Sequence, residues 1–378
     1  MKLVMDVETN GFLNKLDFKI HCIVFKDIET NKLYSYNPDN LFESLKLLKK
    51  ATLLIGHNIQ GFDLPAIKKY FKYNYTGEIL DTLLCSRLIW TNRQELDFQI
   101  KDVPPKLIGR HSLESWGYRL GLRKGDFQEH NTFDVWTLDM QDYCERDVEV
   151  THKLYDLIIN NNYSKEAIEL EHKFAYWIRK QERFGVYFDE SSAENLLSIL
   201  TKRRLQLEEN LAVVFPEWQQ SQGYKRYKRD NKKKGIKAGV PVRIFKTVKF
   251  NPNSRDHIAN RLQTLGWKPK HFTSTGKPEV SEKILKSLDY PEAKVIAEYL
   301  MIQKRLGQLS DGDQAYLKLT KRGKIYGQVI TNGAVTGRCT HHSPNLAQVC
   351  SSDLPYGKEL RSLFSASTDM DFVGVDFS

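Results

Sequence analysis

Short apolar runs broken by turns open the chain. KLVMDVET, HCIVFKD and KLYSYN read as strands, followed by the helical NLFESLKLLKKA and the buried run TLLIGHN. From residue 62 to 90 the pattern is mostly helical. Tyr143, Asp147, Val150 and Leu154 recur every three to four residues, which predicts a helix from about Leu138 to Ile159. Strands interleaved with helices over residues 1–160 predict an α/β layer as the first domain.

The texture changes after a polar hinge at Asn160–Ser164. EAIELEHKFAYWIRKQERFGV places Leu170, Phe174, Trp177 and Ile178 on one helical face and ends at Gly185. A second long helix, DESSAENLLSILTKRRLQLEENLAVVF, carries Ser191 and Glu194 at capping-box spacing. NPNSRDHIANRLQTLGW and a helical EAKVIAEYLMIQKRLGQLSDGDQAYLKL follow. Residues 165–322 are thus expected to form a mainly helical second domain, with an insertion at 216–249. From 323 to 378 the pattern is strands and loops, and the final DFVGVDFS alternates as a strand does. No internal repeat is visible.

Composition narrows the class. At 378 residues, 40% hydrophobic and 28% charged, the chain suits a protein of two or three soluble domains. No apolar run approaches the ~20 residues that span a bilayer, and Asp6 and Glu8 stand where a secretory leader would need its apolar stretch. Cys22, Cys85, Cys144, Cys339 and Cys350 are scattered without a C-x-x-C pair, which suits a reducing cytoplasm better than a disulfide framework or a zinc site.

The net charge of +10 has one source. Residues 221–250 hold eleven Lys or Arg against the single acid Asp230, which leaves 46 of each sign elsewhere. Such a block is often a solvated loop, but Tyr224, Tyr227 and Phe245 among the cations point to contact with a polyanion, nucleic acid above all.

The candidate chemistry lies in the first domain. MDVET puts Asp6 and Glu8 two apart in a strand, so both carboxylates point to one side. Two like charges side by side are costly unless a cation lies between them, although a strand's solvent face would carry them too. GHNIQGFD adds Asn58 and Asp63 at the end of a buried run, where α/β sites gather. DYCERDVEVT adds Tyr143 and Asp147 at i, i+4, neighbours on one helical face.

In order and combination these motifs, D-x-E, N-x₃-F-D and Y-x₃-D, resemble the three motifs of the DEDDy 3′–5′ exonuclease family. The resemblance implies an RNase H-like fold and phosphodiester hydrolysis with two divalent cations about 4 Å apart. Mg²⁺ or Mn²⁺ wants oxygen ligands, which four carboxylates supply. Asp6 would bridge the two ions, Glu8 and Asp147 would hold the first, and Asp63 the second. Tyr143 would orient the attacking water, Asn58 would fix the second motif, and Phe62 would pack. A single-stranded 3′ end is the expected substrate.

TNGAVTGRCTHHSPNLAQV extends the resemblance. It is similar to the T-G-R and P-N-L segment of family A DNA polymerases, the DNA polymerase I family. HSLESWGYRLG, FNPNSRDHI and EYLMIQKRLGQ look like the branch found in phages of the T-seven type, so the likeness covers the whole chain. It implies an exonuclease domain, a thumb built from the long helices, and the start of a palm. Arg338 would reach the minor groove at the primer end, and Asn345 would sit near the template. YGKELRSLFSA with Arg361, and VGVDFS with Asp376, resemble the entry into polymerase motif A, where Asp376 would hold a polymerase metal. One such aspartate cannot organise a two-metal site, so this chain is expected not to polymerise unaided. Either a second polypeptide supplies the fingers and the rest of the palm, or the chain is a cut portion or the product of an interrupted gene. The unpaired ladder of a lone palm strand favours a partner.

The phage enzymes of this type carry a longer thumb insertion that captures a host thioredoxin. Here Pro216 to Lys249 is short and lysine-rich, which argues against that capture and for direct contact of Lys232, Lys233 and Lys234 with duplex DNA. The leading expectation is the proofreading and thumb portion of a phage-type DNA polymerase, acting in the host-cell cytoplasm. Two alternatives are a free-standing DEDDy nuclease and a non-catalytic DNA-clamping subunit. The T-G-R segment argues against the first and the intact acids against the second.

Overall fold

The computed structural model describes residues 1–100, 102–122 and 132–375, and divides them into two compact units. Unit 1 comprises Met1–Gly185 with Gly327–His342; unit 2 comprises Val186–Tyr326 with the segment from Ser343. These boundaries differ from the segments expected from the sequence: the helix after residue 164 and the hairpin at 328–342 group with the first domain. Asp376, the expected motif A carboxylate, lies outside the described residues.

Unit 1 is built on a five-stranded mixed sheet. Its strands are β1 (Lys2–Thr9), β2 (Ile20–Asp27), β3 (Leu33–Tyr36), β4 (Leu53–Gly56) and β5 (Glu78–Asp81), in the spatial order β3-β2-β1-β4-β5. β1 runs antiparallel to β2 and parallel to β4, and β4 runs parallel to β5. β2 is buried along its whole length because helices cover both faces. The helices are α1 (Ser44–Leu48), α2 (Asp63–Phe71), α3 (Thr82–Ile89), α4 (Arg93–Asp97), α5 (Leu113–Arg119), α6 (Leu138–Asn160) and α7 (Lys165–Phe184).

The two faces of β1 make two cores. Leu3, Met5 and Val7 pack with Ile23, Phe25, Leu54 and with Ala66 and Ile67 of α2. Val4, on the other parity, packs with Cys22, Val24 and Ile55 against Met140, Tyr143, Cys144 and Val148 of α6. β5 was missed in the sequence because four residues are too short for a clear period. It is recognisable only as a partner of β4, Leu53 to Gly56 facing Glu78 to Asp81.

α7 corrects an expectation. Leu170, Phe174 and Trp177 are not its packed face: they are 69%, 41% and 63% exposed. His172, Ala175 and Ile178 are buried instead. The deciding contact is polar: His172 Nε2 accepts the backbone N–H of Asp81 at 2.7 Å, while Nδ1 lies 2.7 Å from the Ile168 carbonyl and donates to it. A hydropathy pattern ranks histidine as surface and so selects the wrong face. The unit is completed by a hairpin of Gln328–Ile330 with Thr340–His342, tied to α7 by the Val329 N–H donating to Glu182 Oε1 at 2.7 Å and by Thr331 with Glu171.

Unit 2 contains β6 (Val186–Phe188), α8 (Glu190–Val214), β7 (Trp218–Arg226), β8 (Pro241–Val248), α9 (Arg255–Thr264), α10 (Glu282–Lys286) and α11 (Pro291–Leu306). Leu196, Leu200, Leu207 and Leu211 of α8 share a core with Ile296, Ile302 and Leu306 of α11. Arg203 joins these helices by a forked ion pair to Glu298, at 2.6 and 2.9 Å. α8 starts two residues earlier than the capping-box spacing suggests: Asp189 caps it by accepting the Ser192 N–H at 2.9 Å. The basic insertion is an ordered antiparallel ribbon, β7 with β8, and not a loop. Residues 371–375 are exposed and outside regular structure. Among the described residues, no helix is long and apolar enough to cross a membrane.

Candidate active site

At the carboxyl end of β1 the face that α6 covers stops being apolar. Val4 is followed on the same parity by Asp6 and Glu8, both half-buried. α6 brings Tyr143 and Asp147, both buried, to that end. Asp63 enters as the first residue of α2, buried and in the turn where the helix dipole favours a negative charge. Asp6, Glu8, Asn58, Phe62, Asp63, Tyr143 and Asp147 line one cleft of about 240 Å³. Every first-domain candidate named from the sequence therefore meets there.

The electrostatics are those of acids gathered in a buried cleft. Burial, then the neighbouring Asp6 carboxylate, holds Asp63 well above the usual carboxylate range. Burial, then Asp147, Glu8 and Asp6, pushes the Tyr143 phenol up, so it stays protonated near neutral pH. Ligand atoms of Asp6, Glu8 and Cys144 lie within 4.8 Å of one another. Cys144 Sγ donates to Asp6 Oδ2 at 3.5 Å, and burial raises its thiol well above its ordinary range. The carboxylate oxygens of Asp6, Glu8, Asp63 and Asp147 are a hard donor set that fits Mg²⁺ or Mn²⁺.

Asp81 was missed in the sequence reading. It is 1% exposed and caps α3. Oδ1 accepts the backbone N–H groups of Asn58 (2.9 Å), Leu83 (3.0 Å) and Leu84 (3.4 Å), and Oδ2 accepts that of Gln60 (3.2 Å). One carboxylate thus ties the turn that carries Asn58 and Phe62 to the start of α3. Its signal in the sequence was an acid just before the helical run TLLCSRLI. Asn58 is left-handed at φ 65°, a conformation asparagine tolerates. Gly61 leaves room for that side chain: a Cβ there would lie 2.3 Å from Asn58 Oδ1 and force the amide to turn.

A second cleft, of about 580 Å³, shares His57, Asn58 and Leu113 with the first. Arg87, Arg110, His111, Asn332 and Gly333 also line it. His57 is fixed between Thr82 Oγ1 (3.0 Å) and the His111 carbonyl (2.9 Å). Burial, then Arg87 and other arginines, pushes His111 down to about 4, so its ring is neutral.

The remaining candidates lie elsewhere. Arg338 is exposed in the turn of the 328–342 hairpin, where Ala334 N–H donates to its carbonyl at 3.1 Å. Asn345 and Arg361 belong to unit 2, and Arg361 Nε donates to the Cys350 carbonyl at 2.9 Å. Lys233 and Lys234 are exposed in a turn at the ribbon tip; Lys232 shares the turn's backbone.

Comparison with known proteins gives the family. The DNA polymerase family A pattern matches residues 228–378. The DNA-directed DNA polymerase of Enterobacteria phage T3 is 33% identical over 98% of the chain, and that of Escherichia phage T7 is 32% identical over the same share. The chain spans 66% of the length of either phage enzyme. The POL domain of Pol1 from M. smegmatis, solved with DNA primer-template and dNTP, superposes with a TM-score of 0.65 at 13% identity, over 97% of this chain and 55% of that one. The chain belongs to DNA polymerase family A and resembles its T3 and T7 phage members along nearly its whole length.

Proposed function

We propose that this chain is the proofreading 3′–5′ exonuclease and thumb portion of a phage-type DNA-directed DNA polymerase. One observation carries the reading: four carboxylates and a tyrosine from three distant segments line a single cleft at the end of the central strand. The mixed sheet with acids at that strand end supports an RNase H-like exonuclease. Asp6, Glu8 and Asp147 would hold one divalent cation, and Asp63 with Asp6 a second. When bound, such ions supply charge stabilisation at the leaving 3′ oxygen and lower the pKa of water. Protonated Tyr143 orients the nucleophilic water by hydrogen bonding, since a phenol this far above neutral is no base. The neighbouring cleft, with Arg87 and Arg110, offers cations to the phosphates of an unpaired strand. Polymerisation would draw on the further length that the phage relatives have beyond the part matched here.

The test uses end-labelled single-stranded and mismatched primer-template DNA with Mg²⁺, comparing the chain with Asp6→Ala. Expected is stepwise removal of 3′ nucleotides, faster from mismatched ends, and slower in the variant by at least about a hundredfold. Equal cleavage by both proteins, or none by either, would overturn the assignment.

A further inference from the structure

The β7–β8 ribbon has two chemically different faces. Directly opposed residues of an antiparallel pair share a face, so Trp218 with Val248 and Lys225 with Val242 define one side. Val242, Ile244, Val248 and Trp218 are half-buried there, and Trp218 is held by Arg261, 4.1 Å from its ring, and by His257. The opposite face carries Gln219, Ser221, Tyr224, Arg243, Phe245 and Thr247. Three contacts join them: Gln219 Nε2 to Thr247 Oγ1 (2.8 Å), Arg243 Nε to Ser221 Oγ (3.0 Å), and the Arg243 guanidinium over the Phe245 ring (5.3 Å).

Tyr224 and Phe245 are 71% and 52% exposed on this polar face, while the half-buried Trp218, Val242, Ile244 and Val248 stand on the other beside exposed Gln220, Lys225 and Lys246. An aromatic placed for the core would stand with the valines. These stand with an arginine between them, and the cationic turn with Lys233 and Lys234 continues the surface.

We propose that this face is a platform for single-stranded nucleic acid. Tyr224 and Phe245 stack on unpaired bases, Arg243 keeps a ring and a phosphate in reach, and the tip lysines neutralise the backbone. A groove that gripped only duplex phosphates would need the cations and have no use for two bare rings. The proposal rests on reading the chain as a DNA enzyme, and it gives the insertion a specific substrate form.

The test is fluorescence anisotropy of the whole chain in EDTA, with a labelled oligothymidylate of about 20 nucleotides and a duplex of equal length. Tyr224→Ser/Phe245→Ser is expected to weaken oligothymidylate binding at least about tenfold, leave duplex binding within about twofold, and keep the parental melting temperature. Lys233→Gln/Lys234→Gln is expected to lower the salt slope for the single strand by about 1.4 with the rings in place. Tyr224→Trp adds a direct readout, since its emission is quenched when a base stacks on it. Unchanged oligothymidylate binding in the aromatic variant, equal loss of both ligands, or no quenching would overturn the proposal. Excision at saturating short oligonucleotide is measured separately in Mg²⁺. Its absence beside ribbon-dependent binding would count against the exonuclease reading and leave the platform standing.

Discussion

Replacing Asp81 separates what its shape contributes from what its charge contributes. In Asp81→Ala four backbone N–H groups lose their acceptor in a residue environment that is 1% exposed. Loss of the cap on α3 costs about 1 kcal/mol. Each of the two stranded loop donors, Asn58 and Gln60, adds about 1–3 kcal/mol. The total is about 3–7 kcal/mol, or a fall of roughly 6–28 °C in melting temperature for a unit of this size. Asp81→Asn keeps a carbonyl where Oδ1 stands and so keeps three of the four bonds. Only Gln60 N–H then faces an amide, for about 1–3 kcal/mol. Thermal unfolding followed by circular dichroism, with excision measured on the same samples, is the assay. Expected is the order parent, Asn, Ala in both stability and excision rate, because the turn that Asp81 holds carries Asn58 and Phe62. A drop in Asp81→Ala of less than about 2 °C would refute the reasoning, since the turn would then have other support. Equal losses in the two variants would show that charge, and not acceptor geometry, ties the turn down.

Gly61→Ala places a methyl against Asn58 and should lower excision by about ten- to a hundredfold at a small cost in melting temperature; parental excision kinetics would contradict the contact. Tyr143→Phe should slow excision by about a hundredfold while the pH–rate profile between pH 7 and 9 keeps its shape, because the phenol is protonated throughout; a lost alkaline limb would show that it titrates. The folded state without metal binds a proton at Asp63 more tightly than the unfolded chain does, so stability in EDTA should fall as pH rises from the ordinary carboxylate value through the raised one. Mn²⁺ takes the place of that proton, so the gap between melting temperatures in Mn²⁺ and in EDTA should widen with pH, and Asp63→Asn should shrink it; a gap independent of pH would contradict the coupling.

The strands of unit 1 other than β5 and the long helices were legible because each repeats its own pattern over enough residues. Asp6 with Glu8, and Tyr143 with Asp147, could be placed on shared faces from spacing, and Asn58 and Asp63 at the end of a buried run. Three features were not legible. Asp81 acts through backbone amides 21 and 23 positions away in the chain and at its own helix start, contacts that leave no mark on residue type. α7 turns His172, Ala175 and Ile178 inward, with the His172 ring hydrogen-bonded on both sides, an arrangement that a hydropathy pattern does not show. The basic segment was visible as charge, but not as a ribbon with unlike faces.

Local chemistry and periodicity, both short-range properties, were written in the sequence by itself: which residues could ligate a hard cation, where strands and helices run, and that one segment holds the whole excess of positive charge. Tertiary structure decided what meets what. Convergence of Asp6, Asp63 and Asp147 depends on β1 lying between β2 and β4 with α6 across one face, and the register that sets it arises from pairings between segments far apart in the chain. Burial, which raises Asp63 and Tyr143 and silences Cys144, exists only once those layers have closed over the acids and excluded water.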